Sequence, residues 1–323
     1  EEYNKHIELF NRGSYKQIKS LLKQVEEFYL NMPYPACDMN RNENCSGDFI
    51  YNSKNCNNCF TTVESEDCSF VFEGGRNFNS QDLYAVYDCS GLVYQAVNST
   101  GLYNSAFIIE SHNCSDSFYL MNCYQTKNSF GCVGTRNAEY CILNKQYNKD
   151  DYLTICKKII EQFKESGTWG DFFPKKLSAF GYNETTAQLY FPLNKDQALS
   201  IGAWWEDYEK ANKATAKTIK SSELPDHIDQ IDLSLSEQTI ICEDTNLPFR
   251  LSKPEIHLYK KFKLPIPRKH PNQRHLEMLK WRNQPDLYTR TCINCNKETP
   301  SSFSPERKEI VYCQDCFFNE VYT

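Results

Sequence analysis

Cysteines recur nine residues apart, at positions 114, 123, 132 and 141 and again at 59 and 68. A fixed short period constrains a fold more than any other sequence feature. Each unit is too small to bury its own apolar side, so it must stack on its neighbours. Between the cysteines lie short aromatic and β-branched runs: FTTVE, SFVFE, LYAVYD, LVYQAV, AFIIES and SFYLMN. Asn, Asp, Ser and Gly separate them, and no proline falls between Cys45 and Tyr147. That texture is strand and turn. It predicts a mainly β chain whose residues 45–147 form a parallel β-helix-like solenoid. Two nine-residue units make a coil of about 18 residues. Inward Cys, Phe, Ile and Val stack in ladders ~4.8 Å apart, and Asn and Ser fill the turns. The solenoid cysteines have three readings: packing, disulfides or metal ligands. Packing fits a small apolar side chain that is among the most buried of all types. Cys56-x-x-Cys59 alone in this stretch has metal-like spacing.

The flanks read as helical caps. In residues 1–44, Ser14 and Gln17 form a capping box, and Ile18, Leu21, Leu22, Val25, Phe28 and Tyr29 make one apolar stripe. Pro33 and Pro35 end that helix. Residues 148–235 begin with a helix capped by Asn148, its apolar face running from Tyr152 to Phe163, placed to close the solenoid's open end. An aromatic segment from Trp169 to Tyr208 then wraps other surfaces, and polar residues 210–235 read as a linker.

The sharpest motif lies in residues 236–323. Cys292-x-x-Cys295 is followed by 17 residues and then Cys313-x-x-Cys316. Two Cys-x-x-Cys turns bring four thiolates to one tetrahedral point, which suits Zn²⁺ in a zinc ribbon or treble-clef module over 288–320. Four thiolates leave no open coordination position, so no catalytic residue is assigned there. A degenerate ribbon over 236–280 offers a weaker metal pair, Cys242 and His270.

Net charge is −6, but it divides. Residues 250–297 hold twelve Lys/Arg against three acids, a net of +9, whereas 46–147 is net −5. Lys260, Lys261, Lys263, Arg268, Lys269, Arg274, Lys280 and Arg282, interleaved with aromatic residues, suit phosphate contacts and base stacking on RNA or a single strand.

The C-terminal residues also carry a resemblance. Cys242, Phe249, Glu255, Tyr259, Pro271 and Arg274 are similar to a "probable zinc-ribbon" family pattern, which Thr245, His270 and Gln273 break. Residues 290–318, with Ser304-Pro305-Glu306-Arg307 and Val311-Tyr312-Cys313, resemble the Cys-x2-Cys-x17-Cys-x2-Cys type. Asn52–Cys56, Phe130–Gly134 and Tyr140–Tyr147 resemble a large uncharacterised family common in small-genome candidate-phylum bacteria, which implies no known reaction.

These readings favour a non-enzymatic, zinc-stabilised nucleic-acid-binding protein with a solenoid scaffold. One alternative is a structural component that meets protein partners in a larger assembly. Another is a hydrolase or nuclease using acids such as Asp82 and Asp88, or His270 and His275. Mean hydropathy is −0.66 and no apolar run approaches the ~20 residues of a membrane span, so no membrane partner is expected. Reduced thiols with zinc point to the cytoplasm. The sequons at Asn44, Asn98, Asn113 and Asn183 keep a secreted alternative open.

Overall fold

From Asn52 to Leu143 the backbone obeys a three-residue rule. φ is positive at every third residue from Asn52 to Asp88 and from Leu92 to Leu143, with glycine at 101, 131 and 134. The computed structural model describes residues 11–88, 90–207 and 217–321; Cys89, Tyr208 and residues 210–216 lie outside these. Each left-handed residue turns the chain, and four triplets close one coil. The parallel register shows this directly: Phe60 faces Phe72, Ala106 faces Phe118 and Lys127 faces Glu139, twelve residues apart. One coil takes thirteen, where Asn77 faces Ser90. The result is a β-solenoid of about nine turns in a mainly β chain. Its sheet runs from Met39–Asn40 to Lys145–Gln146, and only that last strand is antiparallel to its neighbour.

The coil is therefore twelve residues, not 18, and the cysteines do not stack on one another at the nine-residue interval. Nine is three triplets, one side short of a full coil, so Cys114, Cys123, Cys132 and Cys141 step to a new side with each turn. The true ladders are mixed, as in Cys68, Ser80, Val93 and Ser105. One residue per triplet points inward; Cys114, Ser117, Leu120 and Cys123 are all 1% exposed or less. The inner cluster holds Cys, Ile, Leu, Val and Ala but no Phe. A bore this narrow has no room for aromatic rings, and Phe70 and Phe78 stand outside.

Serine, expected in the turns, is instead an inner residue, and the ladder explains why it is tolerated there. Ser117 Oγ donates to the Ser115 carbonyl at 2.7 Å and accepts the Ser129 N–H at 3.0 Å. Ser105 does the same with Tyr103 and Ser117. Both hydroxyl functions are satisfied, so burial carries no unpaired-group penalty. Cysteine fills the same slot. Cys114 Sγ donates to the His112 carbonyl at 3.4 Å and receives the Thr126 N–H. Burial pushes the Cys114 thiol up to about 11, which makes it unreactive. Every described cysteine is a free thiol. Asparagine is the commonest residue at the third place in the triplet, since Asn and Asp, after glycine, tolerate the left-handed region best. Their side chains pair up the outside, Asn55 to Asp67 at 2.9 Å and Asn104 to Asp116 at 2.7 Å.

Two compact units divide the chain. One holds the solenoid, residues 35–205, with 284–307 and 311–323. In it, helix Lys149–Glu165 caps the last coils from the flank, burying Tyr152 and Cys156 against Phe130 and Ile142 of successive turns. Trp169 and Phe173 then pack on Tyr119 at 6.3 and 5.8 Å, and Tyr190 on Phe72 at 5.2 Å.

The other unit holds residues 1–34, 206–283 and 308–310. The stretch read as a linker supplies Leu224, Ile228, Ile231 and Leu235 to its buried core. A three-stranded sheet (Thr218–Lys220, Thr239–Ile241, Pro248–Phe249) and helices Lys253–Phe262 and Pro271–Leu279 complete that unit beside helix Tyr15–Leu30.

Replacing Ser117 with Ala strands the Ser129 N–H, while the Ser115 carbonyl keeps the Asn128 N–H at 3.1 Å, and should cost about 1–3 kcal/mol. Ser117→Cys, which refills the slot, should cost less than half as much in denaturant midpoint. Thr61 is β-branched at φ 55°. Thr61→Asn should therefore raise stability by about 1 kcal/mol in the same assay.

Candidate metal centre

The C-terminal module begins as a hairpin, Tyr288–Thr291 paired antiparallel with Glu298–Ser301. Its turn is a knuckle. The Cys292 N–H donates to the Lys297 carbonyl at 2.9 Å, the Asn296 N–H donates to the Cys292 carbonyl at 2.9 Å, and Asn296 takes φ 59°. Strand Ile310–Tyr312 lies alongside, the Ile293 N–H donating to Val311 at 3.1 Å. Cys313 follows that strand, and helix Gln314–Val321 begins at once, with Cys316 in its first turn. A knuckle, a hairpin and a helix N-terminus are the parts of a treble clef.

These elements bring Cys292, Cys295, Cys313 and Cys316 together, all four sulfurs within 4.8 Å of one another. Cys295 Sγ and Cys313 Sγ are 3.7 Å apart. Tetrahedral bonds of ~2.3 Å require sulfurs ~3.8 Å apart, so the spacing fits one bound ion. Burial alone would raise the Cys292 thiol, but the N–H groups of Cys295, Cys313 and Asn294 outweigh it and hold it lowered to about 6. Cys316 is pushed up to about 12, first by its hydrogen bond to Cys313 and then by burial. Four sulfurs this close cannot all ionise unaided, and a bound cation would supply the missing positive charge. Among the described residues, this is the one group of three or more His, Cys, Asp or Glu side chains placed to hold a metal ion.

Residues 242–247 repeat the knuckle without its ligands. The Cys242 N–H donates to Leu247 at 3.1 Å, the Asn246 N–H donates to Cys242 at 2.8 Å, and Asn246 takes φ 54°. His270 caps helix Pro271–Leu279 as Cys313 precedes its own helix. Thr245 and Gln273 stand where the second cysteines would be. Cys242 is fully buried. Burial opposes its ionisation, but the Thr245 hydroxyl and the His270, Thr245 and Asp244 N–H groups leave its pKa lowered. His270 Nδ1 accepts the Asn272 N–H at 3.2 Å. The link a metal would make is supplied by Lys269, which pairs with Asp244 at 3.0 Å and with Glu277.

The eight basic residues do not form one surface. Arg268 turns inward, donating to the carbonyls of Ser221 and Leu224 at 2.9 Å and of Pro225 at 3.1 Å, with its guanidinium 4.5 Å from the Tyr15 ring. Lys269 is held by its ion pairs, and Arg274 contacts the Tyr259 hydroxyl at 3.5 Å. Lys260 and Lys261 end helix Lys253–Phe262, Lys263 caps it, and Lys280 caps Pro271–Leu279 with Arg282 just beyond.

Sequence reading missed how the module is anchored. Ser301 Oγ donates to the Ala36 carbonyl at 2.8 Å, and the Ala36 N–H donates to Tyr312 at 2.8 Å. Asp48, at the first full coil, accepts the Ser302 hydroxyl and the N–H groups of Asp38 and Phe49 at 2.6 and 3.0 Å. Gly47 makes room, since a Cβ there would lie 1.7 Å from the Cys59 carbonyl oxygen. A lone Asp among turn residues carries no signal of this role.

No protein-family model matches the sequence, and no curated protein is significantly similar to it. The resemblance drawn from the sequence therefore rests on the four clustered cysteines. No helix among the described residues is long and apolar enough to cross a membrane.

Burial raises the Asp48 pKa above 3.8, against the lowering effect of its three donors. The folded state then holds the proton more tightly than the unfolded state. This contribution is fully present below about 3.8 and fades as pH rises through the folded value. Asp48→Asn keeps the acceptor oxygen and stays neutral. Relative to wild type, it should gain stability as pH is raised from about 4 to 7. Thermal melts of both proteins across that range provide the check.

Proposed function

We propose that the chain is a non-enzymatic binding protein: a rigid solenoid scaffold carrying a zinc-stabilised treble clef. The four-thiolate set carries this reading. Zn²⁺ has no ligand-field preference and takes four thiolates readily, and a filled tetrahedron has no place for substrate or activated water. The ion would serve folding, since a module of this size with few buried apolar residues needs a cross-link. Cys292, Cys295, Cys313 and Cys316 would hold it. Native mass spectrometry and elemental analysis should find one zinc per chain. Cys295→Ser or Cys316→Ser should lose most of it and expose 284–321 to protease while the solenoid stays intact. Full zinc retention in either variant would overturn the assignment.

The partner that fits best is RNA or another single strand. Lys261 and Lys263 are exposed beside Phe262, which is 54% exposed, so charge and ring lie side by side at the end of one helix. That combination supports backbone contact with base stacking. Lys260 adjoins them in the last turn of the same helix, whereas Arg268, Lys269 and Arg274 support the fold. Binding of a labelled single-stranded RNA should weaken steeply with salt. Lys261→Glu with Lys263→Glu should cut affinity at least about fivefold and flatten the salt slope by about two. Affinity indifferent to salt would sink this reading. A scaffold role with a protein partner is the second reading, supported by aromatic side chains on the solenoid's outer face. Tyr103 is 56% exposed there, and the Arg136 guanidinium lies 5.0 Å from the Tyr124 ring.

A further inference from the structure

Helix Tyr15–Leu30 has an apolar stripe that no described residue buries. None of its sixteen residues is buried. Leu22, Val25, Phe28 and Tyr29 are 58%, 43%, 61% and 47% exposed. The patch continues onto Trp281, 57% exposed, whose ring meets Tyr29 edge-on at 6.5 Å. A soluble chain rarely leaves such a surface bare.

The charges on this helix run the wrong way for a helix standing alone. Its first turn has no acid and its last turn no base. Lys16 and Lys19 lie in the N-terminal half, Lys23 just past the middle, and Glu26 and Glu27 nearer the C-terminus. Both arrangements oppose the macrodipole. Even the Lys23–Glu27 pair, at 3.9 Å, has the less favourable order.

From these features we infer that the helix pairs antiparallel with the same helix of a second copy of this chain. The spacing of Ile18, Leu22, Val25 and Tyr29 is four, three, four, and it reads the same in both directions. A two-fold axis between positions 23 and 24 therefore sets Ile18 against Tyr29 and Leu22 against Val25 across the pair. Lys19 of one copy then faces the Glu26–Glu27 end of the other, and each dipole meets charges of the favourable sign. The surface is self-complementary in both apolar pattern and charge, which a membrane or an unrelated helix would not require.

Sedimentation velocity on the full, metal-loaded chain from low to high micromolar concentration tests this. The expected result is a reversible monomer–dimer equilibrium, abolished by Leu22→Glu. Lys19→Glu and Glu26→Lys should each weaken the dimer about fivefold, since the two-fold axis doubles each lost pair. Together in one chain they should restore it. These three side chains are exposed, and circular dichroism of each variant checks that the fold survives. A monomer throughout would overturn the inference. So would a dimer indifferent to Leu22→Glu, or a double variant no tighter than the single ones. Vesicle binding by a chain that stays monomeric would assign the stripe to a lipid surface instead.

Discussion

The bore of the solenoid is the constraint on which the rest of this structure depends. One inward residue in three, four to a coil, leaves a channel that only small or slender side chains can fill. Large rings are forced outward, where they meet helix Lys149–Glu165 and the aromatic segment after it. Polar residues are admitted only if they satisfy themselves within the stack. Serine does so through the carbonyl two residues back and the N–H twelve ahead. Cysteine does so with a weaker donor and a larger apolar contribution. The two types therefore share one ladder, and the described solenoid thiols are unbridged and packed in the bore.

A repeated left-handed residue costs free energy at every turn. The solenoid offsets it collectively, through continuous parallel hydrogen bonding and by placing Asn and Asp where the cost is least. Many other residue types also take this place, and two of them are packed aromatics. Phe107 and Tyr119 take positive φ, yet their rings stack at 4.4 Å, and Trp169 contacts both. Local strain there is offset by aromatic burial.

The two knuckles show how one backbone motif is held by different chemistry. In residues 292–316 four sulfurs converge closely enough to hold one metal ion. In residues 242–277 the knuckle is kept by backbone hydrogen bonds around the Cys242 sulfur and by Lys269 between two carboxylates. Ion pairs of this kind are partly exposed and individually weak. The buried apolar residues around Ile240 and Ile256 carry more of the stability of that unit. This also accounts for the basic composition of the region. Part of its positive charge is spent inside, on Asp244, Glu277 and the carbonyls that Arg268 gathers, and does not face a ligand.

Much was legible in the residues themselves. The short period of the cysteines and the absence of proline specified a solenoid, and the Cys-x-x-Cys pairs specified a four-sulfur cluster. Both are local or periodic signals, and stacking or knuckle geometry follows from them directly. The coil length was not legible from the cysteines, because nine and eighteen are multiples of three just as twelve is. Only the inter-strand register selects among them, and that depends on how sharply four left-handed residues close the chain. The roles of Ser117, Asp48, Arg268 and Lys269 were equally hidden. Each acts on a group brought near by folding, twelve residues away for Ser117 and more than forty for Arg268, and composition is blind to such partners. The sequence by itself determined the repeating backbone and the four cysteines that cluster. Only the tertiary structure decided which polar side chains hold the fold and which stay exposed, because that turns on desolvation and contact across the chain.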